Sequence, residues 1–353
     1  RSLTYNEQAF GARNLWDMET VEVYRGPQSL MQGRNAVAGA VVMKTKNPTW
    51  YWEGAAKGEI AEYDTRQLAA MISGPVVKDQ VALRLSLDHQ QRESPVDLMS
   101  YEPVGDPREV RNLNARMKLL VEPKALPDVS STLTASFYDS RAPQIEQEPA
   151  AVDNTRFSHL RPVFENQSLG GIWDLSWKYA DNLAFENKLI YTNFSNNRVG
   201  VYGTTVPTAA IDGDEVSIEP LARFRGLNER LRGLAGLRYF QSGQDEKVSN
   251  LQPNPVSTYT FRDETKTSSA FTELTYALFP QIDVTVAGRF EEEQRYRVGR
   301  NGNGNRSVNF DKTFNAFLPK LDVAWKPDGA QTYGVKVARG FNAGGAGVTF
   351  TSG

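Results

Sequence analysis

The chain has no cysteine, and only His89 and His159 supply imidazole. That removes disulfide frameworks, thiolate metal sites and cysteine nucleophiles, and it leaves most hydrolase and metalloenzyme templates without a key residue. An excess of one charge is lacking too. With 40 Lys and Arg against 42 Asp and Glu the net charge is −2, so nothing points to a nucleic-acid partner. No apolar run approaches roughly 18 residues, which excludes a bundle of membrane helices. A membrane protein built from strands survives all three absences, because half of each strand in such a barrel faces a polar lumen. The 353 residues suffice for two average domains or one large closed barrel.

What is present is alternation. Up to residue 48 the chain is compact and punctuated by glycine, and a domain boundary falls near residues 47–52. Beyond it, apolar residues recur at every second position over stretches longer than the roughly 5–6 residues of a soluble strand. They approach the roughly 9–11 that a tilted strand needs to cross a bilayer. In residues 81–88, Val81, Leu83, Leu85 and Leu87 share one face while Ala82, Arg84, Ser86 and Asp88 share the other. The pattern repeats with Leu113, Ala115, Met117, Leu119 and Val121 against Asn114, Arg116 and Lys118. It repeats again with Trp173, Leu175, Trp177 and Tyr179 against Asp174, Ser176 and Lys178, and with Ile282, Val284, Val286 and Phe290 against Asp283, Thr285, Arg289 and Glu291. A period of 2 means strands, but a soluble sandwich produces the same period.

Connection lengths favour the barrel. Short links at residues 75–79, 123–128, 180–182, 226–229, 280–281 and 327–331 alternate with long links at 93–110, 141–165, 197–213, 242–267 and 299–311. The long ones are rich in Pro, Gly, Asn and Asp. Tight turns on one rim and long loops on the other are the habit of outer-membrane barrels. Trp173, Trp177, Tyr179 and Trp325, near strand ends, suit an interfacial aromatic girdle. The count from residue 53 to 341 is about thirteen strands, whereas bacterial single-chain barrels close with an even number. The expectation is therefore a piece of a longer protein.

Residues 21–48, VEVYRGPQSLMQGRNAVAGAVVMKTKNP, carry the most information. They read as a strand, a short helix opened by Pro27 and closed by Gly33, and a second strand, with Gly26, Gly33 and Gly39 at turns or close approaches. The spacing is not that of a dinucleotide fingerprint or of a phosphate loop. This stretch resembles the end of the plug domain of TonB-dependent outer-membrane receptors, in which an Arg-Gly-Pro turn is followed by a Gly-containing pair and a strand ending near Lys-Pro. Arg25, Gly26, Pro27, Gly33, Arg34 and Gly39 occupy the motif. Met31-Gln32-Gly33 stands where Leu-Tyr-Gly is usual, and Ala38-Gly39-Ala40 where Gly-Gly is commoner. Ile72-Ser73-Gly74-Pro75, followed by Leu83-Arg84-Leu85, is similar to early barrel strands of the family. Residues 337–345 are similar to a later strand and its loop.

The resemblance implies an all-β membrane protein: a plug remnant over residues 1–48 and an incomplete transmembrane antiparallel β-barrel over 49–353, 22-stranded in the full-length family. It implies import of a scarce nutrient across the bacterial outer membrane, most often a ferric siderophore, driven by TonB with the ExbB-ExbD motor. Cobalamin, haem or oligosaccharide uptake on the same scaffold, or a passive channel, are the alternatives. No enzyme activity, cofactor or metal ion is expected, and outer-membrane lipid is the expected surround. Family plug arginines pair with barrel glutamates, so Arg25 is matched with Glu273, which alternation turns to the lumen, and Arg34 is the spare. Ligand contacts are expected from Tyr101, Phe157, His159, Tyr202, Tyr259 and Phe261, in or near the long loops. The acidic run Asp212, Asp214, Glu215 lacks the spacing of a calcium loop.

Overall fold

The computed structural model describes residues 15–26, 39–95, 98, 100–143, 162–200, 208–250, 257–302 and 306–346. Two sheets account for its regular structure. The first is a hairpin-like pair, β1 (Met18–Arg25) and β2 (Gly39–Thr45), antiparallel with Arg25 opposite Gly39 and Val23 opposite Val41. Gly26 has φ +74, and Gly39 has φ +157. A Cβ on Gly39 would stand 2.4 Å from the carbonyl oxygen of Tyr24. Both positions thus call for glycine, one by dihedral angle and one by contact. The expected helix, with Pro27, Gly33 and Arg34, lies outside the described residues.

The second sheet is a continuous antiparallel meander of thirteen strands. It begins with β3 (Glu53–Ala61), β4 (Thr65–Val77), β5 (Val81–Glu93), β6 (Glu109–Val121) and β7 (Val129–Pro143). It continues through β8 (Val163–Ala180), β9 (Leu183–Val199), β10 (Thr208–Gly226), β11 (Leu231–Asn250) and β12 (Ser257–Phe279). Then come β13 (Ile282–Asn301), β14 (Ser307–Trp325) and β15 (Tyr333–Ala338). Each strand pairs with its neighbour in sequence, as short connections dictate.

The two faces decide between sandwich and barrel. One rung across β4 to β8 carries Ala70, Leu87, Ala115, Phe137 and Leu169, and the adjacent rung carries Ala69, Asp88, Asn114, Tyr138 and Ser168. On the apolar rung Leu87 and Leu169 are 47% and 60% exposed, whereas Asp88 and Ser168 on the polar rung are 2% and 4% exposed. A water-soluble fold buries the apolar rung and wets the polar one. Here the apolar side is bare from Leu68 and Ile72 on β4 to Leu321 on β14, and Arg84, Lys118, Arg289, Glu291 and Glu293 are covered on the other. That is the wall of a membrane barrel, with lipid outside and a polar lumen within.

The rims differ as the connection lengths predict, with corrections. On the short-turn rim the links run through tight turns such as the one at Asp79, φ 57. There Trp177, Tyr179 and Phe185 form an exposed aromatic cluster, with centroids 5.1 Å, 5.8 Å and 6.0 Å apart, and Trp325 packs 5.7 Å from Tyr333. On the opposite rim β3 and β4 are joined by a tight turn at Tyr63 and Asp64, so the alternation is not strict. The stretches 242–267 and 299–311 are mostly strand: β11 and β12 stay paired out to Asn250 and Ser257. Strands lengthen from 9 residues in β3 to 23 in β12, more than a bilayer crossing requires.

Candidate functional site

Strand register places three cations in one patch of the inner wall. Arg84 on β5 stands directly opposite Lys118 on β6, and Arg116 lies two residues along on the same face. Like charges directly opposite destabilise a sheet unless something neutralises them. The segment leading into β1 supplies it. Both carboxylate oxygens of Asp17 accept from Arg84 Nε at 3.0 Å, a further bond comes from Arg84 Nη2, and Arg116 Nη2 donates at 3.0 Å. Arg116 also reaches the Asp17 carbonyl oxygen at 3.2 Å. The side chains of Arg84 and Asp17 are 2% and 1% exposed. On its other edge Arg84 Nη1 donates to Glu53 of β3 at 2.7 Å.

Lys118 is held by the end of β2 and the chain after it. Its Nζ donates at 3.1 Å to the Thr45 carbonyl oxygen and at 3.1 Å to Asn47 Oδ1. Thr49 adds bonds from its N–H and its hydroxyl to Ser73 Oγ, each 2.9 Å. Burial, the largest single influence on Asp17, pushes its carboxyl up. The hydrogen bonds and charges of Arg84 and Arg116 together outweigh burial and hold it below the usual carboxylate range. An intact buried pair contributes little net stability, but removing one partner strands the other. What such a cluster fixes is position: it fastens the β1–β2 pair to β4, β5 and β6.

The partner expected for Arg25 is engaged elsewhere. Glu273 on β12 accepts from Lys320 Nζ on β14 at 2.9 Å. Between them on β13 lies Ala287, opposite both residues, and its small side chain lets the lysine stem cross the intervening strand. The described fastening also reverses the expected polarity, with the acid on the hairpin and the arginines on the wall. Arg84, Arg116 and Lys118 were visible in the sequence as mid-strand charges on the polar face. Asp17, ahead of the motif, gave no signal, and Glu53 gave none either.

Of the expected ligand contacts, Phe157, His159 and Tyr202 lie outside the described residues. Tyr259 and Phe261 are on β12, not in a loop, and both are buried. Their rings stack with centroids 6.2 Å apart and planes 9° from parallel. Arg297 of β13 lies 4.2 Å over the Phe261 ring and binds Asp263 at 2.5 Å and Glu246 at 2.7 Å. Tyr101 stands apart from these, in the connection between β5 and β6, where it exchanges two backbone bonds with Gly105. Burial drives its phenol up to about 12, against the opposing pull of Arg198 and Arg141. Asp212, Asp214 and Glu215 fall on β10, whose alternation sends Glu215 to the opposite face. Among the described residues no three His, Asp or Glu side chains are placed to hold a metal ion.

An apolar outer belt and a charged inner face, with a hairpin fastened against it, define the wall of a membrane β-barrel. The family model described as "TonB dependent receptor-like, beta-barrel" matches residues 122–353, and the chain belongs to that family. Among solved structures, it is similar to the ferric yersiniabactin uptake receptor FyuA from Yersinia pestis. The TM-score is 0.81 at 17% identity, covering 96% of this chain and 54% of that one. The alcaligin outer-membrane receptor FauA from Bordetella pertussis gives 0.72 at 15% identity, with 94% and 51% covered. The ferric-catecholate import receptor Fiu from E. coli K12, in its open form, gives 0.76 at 12%, with 94% and 61% covered. The chain thus spans about half to three-fifths of the length of these structures, and the likeness establishes the fold.

Proposed function

We propose that residues 1–48 are the end of a plug, that residues 49–353 are barrel wall, and that together they serve the active import of a ferric siderophore across the outer membrane. TonB with the ExbB-ExbD motor would supply the pull. The observation that carries this reading is the clamp of Asp17 on Arg84 and Arg116. It keeps a folded hairpin against the inner wall, where a passive channel needs open lumen. The family supports TonB as the partner. The iron complexes named for FyuA and Fiu support the cargo class.

The test is uptake of labelled ferric siderophores by cells carrying the full-length gene, with and without a proton uncoupler. Uptake that collapses with the uncoupler supports the reading. Uptake that persists makes the protein a channel, and labelled cobalamin taken up in place of iron would keep the mechanism and change the cargo.

A further inference from the structure

The contacts that fasten residues 17–52 converge on one arc of the wall. Asp17 binds Arg84 and Arg116, Lys118 holds Thr45 and Asn47, and Thr49 bonds Ser73. Trp52 adds a packing contact, since a Cβ on Gly74 would fall 2.3 Å from its indole and only glycine there lets the ring lie on β4. All of these contacts end on β4, β5 and β6.

The next arc, β7 to β9, is built differently at the same depth. The inward rung that holds Arg116 continues as Ser136, Gly170 and Thr192. Two inward rungs nearer the long-loop rim stand Ser140, Asn166 and Asn196, and the rung between is uncharged as well. A Cβ added to Gly170 would lie 3.4 Å from the hydroxyls of both Ser136 and Thr192, so the wall there is small and polar. Thr192, Asn166 and Asn196 are 0%, 2% and 3% exposed, yet Thr192 Oγ1 and the side-chain carbonyl oxygens of Asn166 and Asn196 have no hydrogen-bond partner. A buried acceptor without a bond is destabilising, and contact with water or a polar ligand relieves it. Thr267 and Ser269 on β12 are buried without a bond too, but they stand opposite Glu293 and Glu291, which bind Arg295 and Arg289. Separating a covering segment from β4–β6 strands buried charges, whereas separating one from β7–β9 strands none and satisfies three oxygens.

We propose that cargo passes along the β7–β9 arc of the lumen while the β1–β2 hairpin and the linker after it stay fastened to β4–β6. Thr192, Asn166 and Asn196 are the wall contacts of that path. Their hydroxyl and amide groups both donate and accept, which suits the carbonyl and hydroxyl oxygens of a chelate, and they place no fixed charge in its way. The proposal rests on the import reading above and adds the side of the lumen along which import runs.

The experiment is thiol labelling of single-cysteine variants of the full-length protein in living cells, with the unsubstituted protein as background. Thr192→Cys and Asn196→Cys report the path, and Ser73→Cys, 1% exposed on β4, reports the fastened arc. A small water-soluble thiol reagent is added with the labelled ferric siderophore that the uptake assay selects, with and without a proton uncoupler. In energised cells labelling of both path cysteines should rise about tenfold over uncoupled cells, while Ser73→Cys stays level. An equal rise at Ser73→Cys overturns the proposal by showing that the hairpin leaves the wall. No rise at either path cysteine, in cells whose variants still take up cargo, overturns it by placing the path elsewhere. Uptake indifferent to the uncoupler removes the import reading and this proposal together, whereas energised uptake with the wrong labelling pattern removes this proposal alone.

Discussion

Arg84 and Lys118 face each other across β5 and β6, two cations on one rung of the inner wall, and Asp17 from the hairpin lies against the arginine. The arrangement makes the wall depend on the hairpin as much as the hairpin depends on the wall. Asp17→Asn keeps the shape and removes the charge, leaving Arg84 with Glu53 as its remaining carboxylate and taking from Arg116 the carboxylate it binds. The expected cost is about 3–5 kcal/mol in the docking of the hairpin. Hydrogen exchange of the amides in Gly39–Thr45 should lose most of its protection, while β9 to β13 keep theirs.

Acid should release the same contact. The Asp17 carboxyl titrates below its unfolded value, so its contribution is fully present above that value, about 3.9, and is lost as pH falls through the folded one. Hairpin protection followed downward from pH 6 should hold through the ordinary carboxylate range and then fall. The Asp17→Asn protein should show no such step.

Glu273→Gln separates the described clamp from the Arg25 pairing that the motif suggests. It frees Lys320 in a partly wet stretch of lumen, where a pair contributes at most about 1 kcal/mol. Exchange in Gly39–Thr45 should match wild type. Deprotection there as large as that of Asp17→Asn would return the lock to Glu273.

The orientation of the wall predicts opposite outcomes for adjacent residues. Leu133 of β7 points outward, 49% exposed, near mid-membrane, and Leu133→Arg should cost about 2–4 kcal/mol in refolding into lipid vesicles. Thr132 points inward, opposite Asp174, and Thr132→Lys should be tolerated. Equal damage from both would mean that the outer face is not lipid-facing.

Tyr101 offers a spectroscopic handle on the connection between β5 and β6. With its phenol raised to about 12, above an unfolded value near 10, its support for that loop is complete below pH 10 and lost as pH rises through about 12. Ultraviolet titration should show a tyrosinate step near pH 12 that is lost in Tyr101→Phe, apart from the upward-shifted Tyr24, whose hydrogen bond to Glu22 opposes ionisation.

Faces were legible in the sequence, and partners were not. The alternation of Val81, Leu83, Leu85 and Leu87 against Arg84 and Asp88 sorts the apolar face from the polar one, because side-chain direction depends only on position along a strand, and the exposure of the apolar face then marks it as the lipid side. Which residue meets Glu273 depends on two registers and on the size of Ala287 between, and neither is written locally. Tyr259 and Phe261 looked like loop residues because beyond the membrane both strand faces turn polar and the apolar period fades. The pairing continues regardless, with outward Arg262 between Glu264 at 3.1 Å and Asp245 at 3.7 Å. The clamp itself joins residues 67 positions apart, beyond the reach of any local pattern.

Glu53 gives the clamp a spare anchor. It belongs to β3, holds Arg84 at 2.7 Å, and would stay on the wall if the hairpin were released. Without Asp17 the arginine would still have a carboxylate beside it, so release of the hairpin would cost less than severing an isolated pair. The same carboxylate keeps the guanidinium aimed, so a hairpin docking there would meet a site already shaped.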